Sequence, residues 1–128
     1  MLSCEDVLLA VYRGFNTRDI ESVLAAMHPD VDWPNGWEGG RVHGRKAVRE
    51  YWTRQWSVIN PHVEPLRFHT DDSNRTFVDV HAVVRDRDGN IIADEIIQHI
   101  YVIEDGLIQS MEIRKPEVSF SGGSLKSN

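Results

Sequence analysis

Two histidines and a tyrosine sit among apolar neighbours in one stretch of the chain. Residues Thr76 to Arg114 read TFVDVHAVVRDRDGNIIADEIIQHIYVIEDGLIQSMEIR, in which Val, Ile, Phe and Met surround His81, His99 and Tyr101. An imidazole in apolar surroundings has a lowered pKa and can donate one hydrogen bond or accept one. His99 is the first candidate to polarise a ligand carbonyl or shuttle a proton. His81, alone or paired with Asp79, is the second. The competing structural readings are a core His99 bonded to a carboxylate such as Glu95, and a His81 that merely pairs locally. The Tyr101 hydroxyl suits the orientation of a carbonyl, and its ring suits the filling of a cavity mouth.

The positions of these groups depend on three strands joined by two turns, each containing Asp-Gly. With three-residue loops at 87–89 and 104–106, Arg85 faces Ile91, His81 faces Glu95, Tyr101 faces Gln109 and His99 faces Met111. Alternation then puts Asp79, His81, Val83, Glu95, Ile97, His99, Tyr101, Ile103, Met111 and Ile113 on one face. Val78, Val80, Val84, Ile92, Ile96, Ile100 and Val102 take the other. The first face, mixed and partly apolar, fits a pocket. The second, purely aliphatic, fits a core or a dimer interface. Two-residue loops would shift each pairing and mix the sets.

Upstream, Ser3-Cys4-Glu5-Asp6 reads as a helix start with Asp6 in place of the usual Glu. Val7, Leu8, Val11, Tyr12 and Phe15 continue at helical spacing. Asp19 caps a second helix with the stripe Ile20, Val23, Leu24 and Met27, stopped by Pro29. Val31 to Pro34 is short and extended, and a glycine-rich loop follows. Trp33 precedes that loop, Trp37 lies within it, and both suit the wall or lid of a cavity. Gly44 to Val58 is a third helix carrying Val48, Tyr51, Trp52 and Gln55 on one stripe, with Trp56 beside it. Trp33, Trp37 and Trp52 are candidates to stack on a flat ligand, although large aromatics also serve as core. His62 to Thr70 is a strand whose Pro65 marks an edge or bulge. Helices preceding a four-strand antiparallel meander make an α+β fold. Residues 1–116 form one domain, and 117–128, polar and rich in Gly and Ser, a flexible tail.

Composition narrows the partners. The chain has 128 residues and a formal charge of −6, from 14 basic and 20 acidic side chains. That balance opposes general affinity for nucleic acid or an anionic membrane. Its apolar runs are too short to span a bilayer, and the N-terminus lacks the features of a signal peptide. With one cysteine, Cys4, no internal disulfide can form, and a cytoplasmic, reducing location is expected. The six histidines are scattered, without metal-ligand spacing, so no metal is expected. No phosphate-binding glycine loop or Gly-x-Ser-x-Gly elbow occurs.

The order of elements resembles the nuclear-transport-factor-2-like (NTF2-like) superfamily, closest to its SnoaL-like and ketosteroid-isomerase-like branch. The residues that carry the resemblance are Arg18-Asp19-Ile20-Glu21, His28-Pro29-Asp30-Val31-Asp32-Trp33, Val42-His43-Gly44-Arg45 and Glu104-Asp105-Gly106-Leu107-Ile108. It implies a cone, with a curved sheet wrapped around three helices, an internal pocket, and a homodimer through the outer sheet face. Ketosteroid isomerases keep a catalytic aspartate where this chain has Asn35, which cannot take a proton. Their oxyanion-hole tyrosine falls on Val11, and their second, protonated aspartate on or beside His99. The resemblance therefore implies a retained pocket with changed chemistry, and not a true ketosteroid isomerase. Asn35 is a candidate ligand contact, although Asn-Gly is also a turn signal.

Three functional readings follow. The first is a cofactor-independent isomerase, cyclase or hydratase acting on an apolar carbonyl compound through His99, with Asn35 and Tyr101 positioning it. The second is a non-catalytic module binding a small apolar or aromatic ligand. The third is a structural dimer whose vestigial pocket is filled by tryptophans.

Overall fold

Ser3 opens the first helix as expected. Its Oγ accepts a hydrogen bond from the Asp6 backbone N–H at 3.1 Å, satisfying one of the donors that a first turn leaves unpaired. This helix, α1 (Cys4–Thr17), ends at Arg18, which adopts the left-handed conformation with φ 66°. The computed structural model describes residues 3–36 and 38–115. Trp37 and the expected tail at 117–128 lie outside the described residues.

Asp19 caps α2 (Ile20–Ala25), accepting from the Ser22 N–H. The helix stops well before Pro29. Met27, expected on its stripe, is the first residue of strand β1 (Met27–Pro34). The Ala26 carbonyl accepts from the Ile108 N–H at 2.8 Å, so the chain enters the sheet instead of adding a helical turn. Then follow β2 (Arg41–His43), α3 (Arg45–Val58), β3 (Ile59–Thr70), β4 (Arg75–Asp86), β5 (Ile91–Glu104) and β6 (Leu107–Arg114).

The fold is α+β: an N-terminal helical region with a curved, unclosed sheet of six strands in the order β2-β1-β6-β5-β4-β3. The expected meander is β3 to β6. It is enlarged by β1, which runs parallel to β6, and by β2, antiparallel to β1. With two prolines and two aspartates, β1 has little strand signal of its own; β6 supplies its pairing. β3 lies at the edge, and its register shifts between Pro65 and Arg67, where proline removes a ladder donor. Asn16 at the end of α1 clasps this edge. Its Nδ2 donates to the Val63 carbonyl at 2.7 Å, and its Oδ1 accepts from the Val63 N–H at 2.9 Å.

The two hairpins differ from expectation in different ways. At the first, Gly89 is left-handed with φ 92° and Arg85 faces Ile91, as expected. A bulge then shifts the register by one residue, so His81 faces Ile96 instead of Glu95. A shift of one exchanges the two faces of a strand. Val78, Val80 and Ala82 therefore join the buried interior, while Asp79, His81 and Val83 turn to the outer face. At the second hairpin the loop is Asp105-Gly106, two residues with φ 54° and 78°, the left-handed pair of a tight hairpin turn. Another bulge follows, so Tyr101 faces Met111 and His99 faces Ile113. The two departures sum to an even shift, and Met111 and Ile113 stay on the face of His99 and Tyr101. The outer face is thus mixed, with Ile96, Ile100 and Val102 among polar groups, and not purely aliphatic.

Leu8, Val23, Met27, Val31, Val48, Val78, Val80 and Ile108 are fully buried between the helices and the concave sheet face. Among the described residues no helix is long and apolar enough to cross a membrane.

Candidate functional site

The concave face and the helices line an open cavity of about 800 Å³, with mostly apolar walls. Each wall comes from a different element. α1 contributes Val11, Tyr12 and Phe15 from its apolar stripe, and β1 contributes Trp33. α3 contributes Tyr51, Trp52 and Gln55, one helical turn apart between Tyr51 and Gln55. His99 and Tyr101 come from β5, where a two-residue spacing keeps both side chains on one face. Met111 and Ile113 come from β6.

At the buried end, three polar side chains meet. The Tyr12 hydroxyl lies 2.8 Å from His99 Nδ1. The Tyr101 hydroxyl donates to the Tyr12 hydroxyl at 2.9 Å and lies 3.4 Å from the same Nδ1. The Tyr12 and His99 rings are stacked, with an interplanar angle of 10°. All three residues are buried, His99 with 6% of its surface exposed. Burial lowers the His99 pKa to about 4, because a charged ring would lose its hydration. Burial raises both phenols, Tyr12 further through its neighbour Tyr101. At neutral pH all three groups are therefore uncharged. A chain in which Tyr101 donates to Tyr12, and Tyr12 to Nδ1, leaves the imidazole proton on Nε2. Nε2 makes no hydrogen bond among the described residues, and His99 lines the cavity. The centre presents one neutral N–H donor.

Aromatic rings build the adjoining walls. Trp33 and Trp52 meet edge to face at 5.6 Å, Phe15 and Trp52 at 5.3 Å, and Trp33 is 6.3 Å from Tyr101. All four line the cavity. Asn35 is buried and lines it, but its amide is engaged locally. Its Oδ1 accepts from the Glu38 N–H at 2.7 Å, and its Nδ2 donates to the Glu38 carboxylate at 2.9 Å. Glu38 in turn accepts from Arg54 on α3 at 3.0 Å. The loop is thereby tied to α3 beside the cavity. The rim carries the exposed Ile92 and Ile113 together with Glu95, whose carboxylate pairs with Lys115 at 3.3 Å.

Of the expected site residues, the structure gathers His99, Tyr101, Asn35, Trp33, Trp52 and Met111 around one cavity. Trp37 lies outside the described residues. His81 and Asp79 are not brought in. On the outer face, His81 Nε2 sits 2.7 Å from Asp94, and Asp79 accepts from Arg67 and Gln98. The first bulge is the cause, and it corrects the expectation that His81 and Asp79 share the face of His99. His99 is not bonded to Glu95, since four strand residues put roughly 13 Å between them. Tyr12 was missed as a polar group: it was read as apolar stripe, and the resemblance pointed to Val11. The available signal was its hydroxyl, because a phenol on a buried stripe needs a partner. Among the described residues no three His, Cys, Asp or Glu side chains cluster as metal ligands.

The comparisons with known proteins agree with this architecture. A sequence model of the SnoaL-like domain matches residues 8–111. No curated protein sequence matches the chain. Among solved structures, the chain is similar to TerC, co-crystallised with polyporic acid, at 30% identity and TM-score 0.75, covering 88% of this chain and 91% of that one. It is similar in fold to an NTF2-like protein of unknown function from Burkholderia pseudomallei, at 24% identity and TM-score 0.78 over 91% and 92% of the two chains. A Mycobacterium tuberculosis protein in complex with estradiol-17β-hemisuccinate shares the fold at 17% identity and TM-score 0.72, over 84% and 88%. The chain shares its fold with an NTF2-like protein, and the SnoaL-like model spans most of its length, so this chain belongs to the SnoaL-like domain family.

Proposed function

We propose that this protein binds a neutral, apolar, carbonyl-bearing small molecule, with His99 Nε2–H donating to the carbonyl oxygen. The observation that carries the reading is the uncharged Tyr101–Tyr12–His99 chain at the buried end of an apolar cavity of about 800 Å³. A volume of that size lies within the ordinary range for small-molecule sites, and gives no support to a vestigial pocket. The tryptophan faces favour a flat or aromatic ligand. TerC, similar at 30% identity, was co-crystallised with polyporic acid, which supports a small organic occupant.

The centre suits hydrogen bonding better than proton transfer. A general acid or base works best with a pKa near the operating pH. Here burial moves the imidazole down and the phenols up, away from neutrality on both sides. Asn35 supplies no base. A second reading, an isomerase or cyclase that needs no cofactor, is favoured by the donor itself. A prepositioned N–H in a dry site stabilises a developing enolate oxygen more strongly than the parent carbonyl. That reading requires a substrate acidic enough to lose its proton to water. Ketosteroid isomerase chemistry is not part of either reading.

Calorimetric titration with fluorenone, a flat neutral ketone, and with polyporic acid tests the proposal. Both are expected to bind, and His99→Phe or Tyr101→Phe to weaken fluorenone binding about tenfold, the effect of one buried hydrogen bond. Absence of binding by either probe would sink the pocket reading. Unchanged affinity in folded His99→Phe would remove His99 from it.

We also infer a homodimer through the outer sheet face, where Ile96 is 47% exposed opposite His81, in a cytoplasmic setting that suits a free Cys4.

A further inference from the structure

Gln55 carries a side-chain oxygen that nothing among the described residues satisfies. It lies on α3, across the cavity from β5, and lines the same space as His99. Its Nε2 donates to the Tyr51 hydroxyl at 2.9 Å, one helical turn back. That bond orients the amide and leaves Oε1 facing away from Tyr51. Oε1 is shut off from solvent and makes no hydrogen bond among the described residues. A buried acceptor left this way destabilises the fold, and native structures rarely leave one without a reason.

We infer that Gln55 is the second polar anchor of the cavity, and that the ligand carries a hydrogen-bond donor, an alcohol or phenol hydroxyl, on the side away from its carbonyl. This rests on the pocket reading above and narrows its ligand class to hydroxylated ketones. The two anchors are complementary. His99 offers a donor and takes the carbonyl oxygen; Gln55 offers an acceptor and takes the hydroxyl proton. The terminal torsion of glutamine is soft, so a small swing of the amide brings Oε1 against a bound ligand. Between the anchors, Trp33, Trp52 and Phe15 offer no competing acceptor, so the ligand's middle is apolar. A site that hydrogen-bonds a hydroxyl also rejects the analogue lacking it, because its own buried group stays unpaired.

The experiment compares fluorenone with its monohydroxy and monomethoxy derivatives by calorimetry. At least one hydroxy isomer is expected to bind about tenfold more tightly than fluorenone, while the methoxy compound of the same position shows no gain. In Gln55→Leu the ratio of the two affinities is expected to fall to about one; in Gln55→Glu, whose carboxylate also accepts, it persists. Thermal melting checks that both variants fold. No gain from any hydroxyl position, or a gain that survives Gln55→Leu, overturns the inference while leaving the pocket reading intact. Failure of fluorenone itself to bind overturns the pocket reading, and this inference with it.

Discussion

His99 is kept neutral by its surroundings, and that has a measurable consequence for stability. An unfolded histidine titrates near 6.5, whereas burial brings native His99 to about 4. Above pH 6.5 neither state is protonated and the folded chain keeps its full stability. As pH falls from 6.5 towards 4, only the unfolded state takes the proton, so stability declines. The slope is about 1.4 kcal/mol per pH unit and the total about 3 kcal/mol. Urea unfolding of the wild type and His99→Gln between about pH 7 and about pH 4 measures this. The wild type is expected to lose about 3 kcal/mol more than the variant. Parallel pH curves for the two would show that His99 titrates normally. At this scale the sequence reading was good for side chains on β5, since His99 and Tyr101 are two apart and must share a face whatever the pairing. It was poor for Tyr12 and Gln55, whose polar ends matter only because of what lies across the cavity.

Between elements, close approach decides more than propensity. Gly14 is buried on α1, and a Cβ there would lie 2.6 Å from Val23 Cγ2 and 2.9 Å from Ser22 Oγ of α2. Helix propensity alone would make Gly14→Ala stabilising by about 1 kcal/mol. The overlap with α2 is expected to reverse the sign, costing on the order of 1–3 kcal/mol. A raised urea midpoint in Gly14→Ala would refute the packing account. The helix caps were legible because Ser3 and Asp19 act through bonds three residues away. β1 was read too short and the sheet too small. The reason is physical: Met27 and His28 enter a strand because β6 is there to pair with them. Both β4–β5 and β5–β6 bulges escaped notice for the same reason, as nothing local in Ile92 or Gln109 announces an unpaired residue.

For the whole molecule, the balance of the two sheet faces sets the expected assembly. The inner face is consumed by the core and cavity. The outer face combines the exposed Ile96 with the His81–Asp94 and Arg67–Asp79 pairs, a mixture compatible with a partner copy. Sedimentation at micromolar concentration is expected to give a dimer, and Ile96→Arg to shift it to monomer through an unpaired charge at the interface. A wild-type monomer under those conditions would refute the proposed homodimer. The fluorenone titrations belong to this scale too, because the cavity exists only when α1, α3, β1, β5 and β6 are all in place.

Sequence alone determined the periodic features: where helices begin, that the C-terminal half is a sheet with an edge at Pro65, and that His99 and Tyr101 point the same way. Those follow from interactions a few residues long. Only the tertiary structure decided that Val80, not His81, faces inward, that Tyr12 completes the polar centre, and that Asn35 is held by Glu38. Each depends on a register or a distance between segments far apart in the chain. One inserted residue in a strand reverses such an assignment without changing the pattern from which it is read.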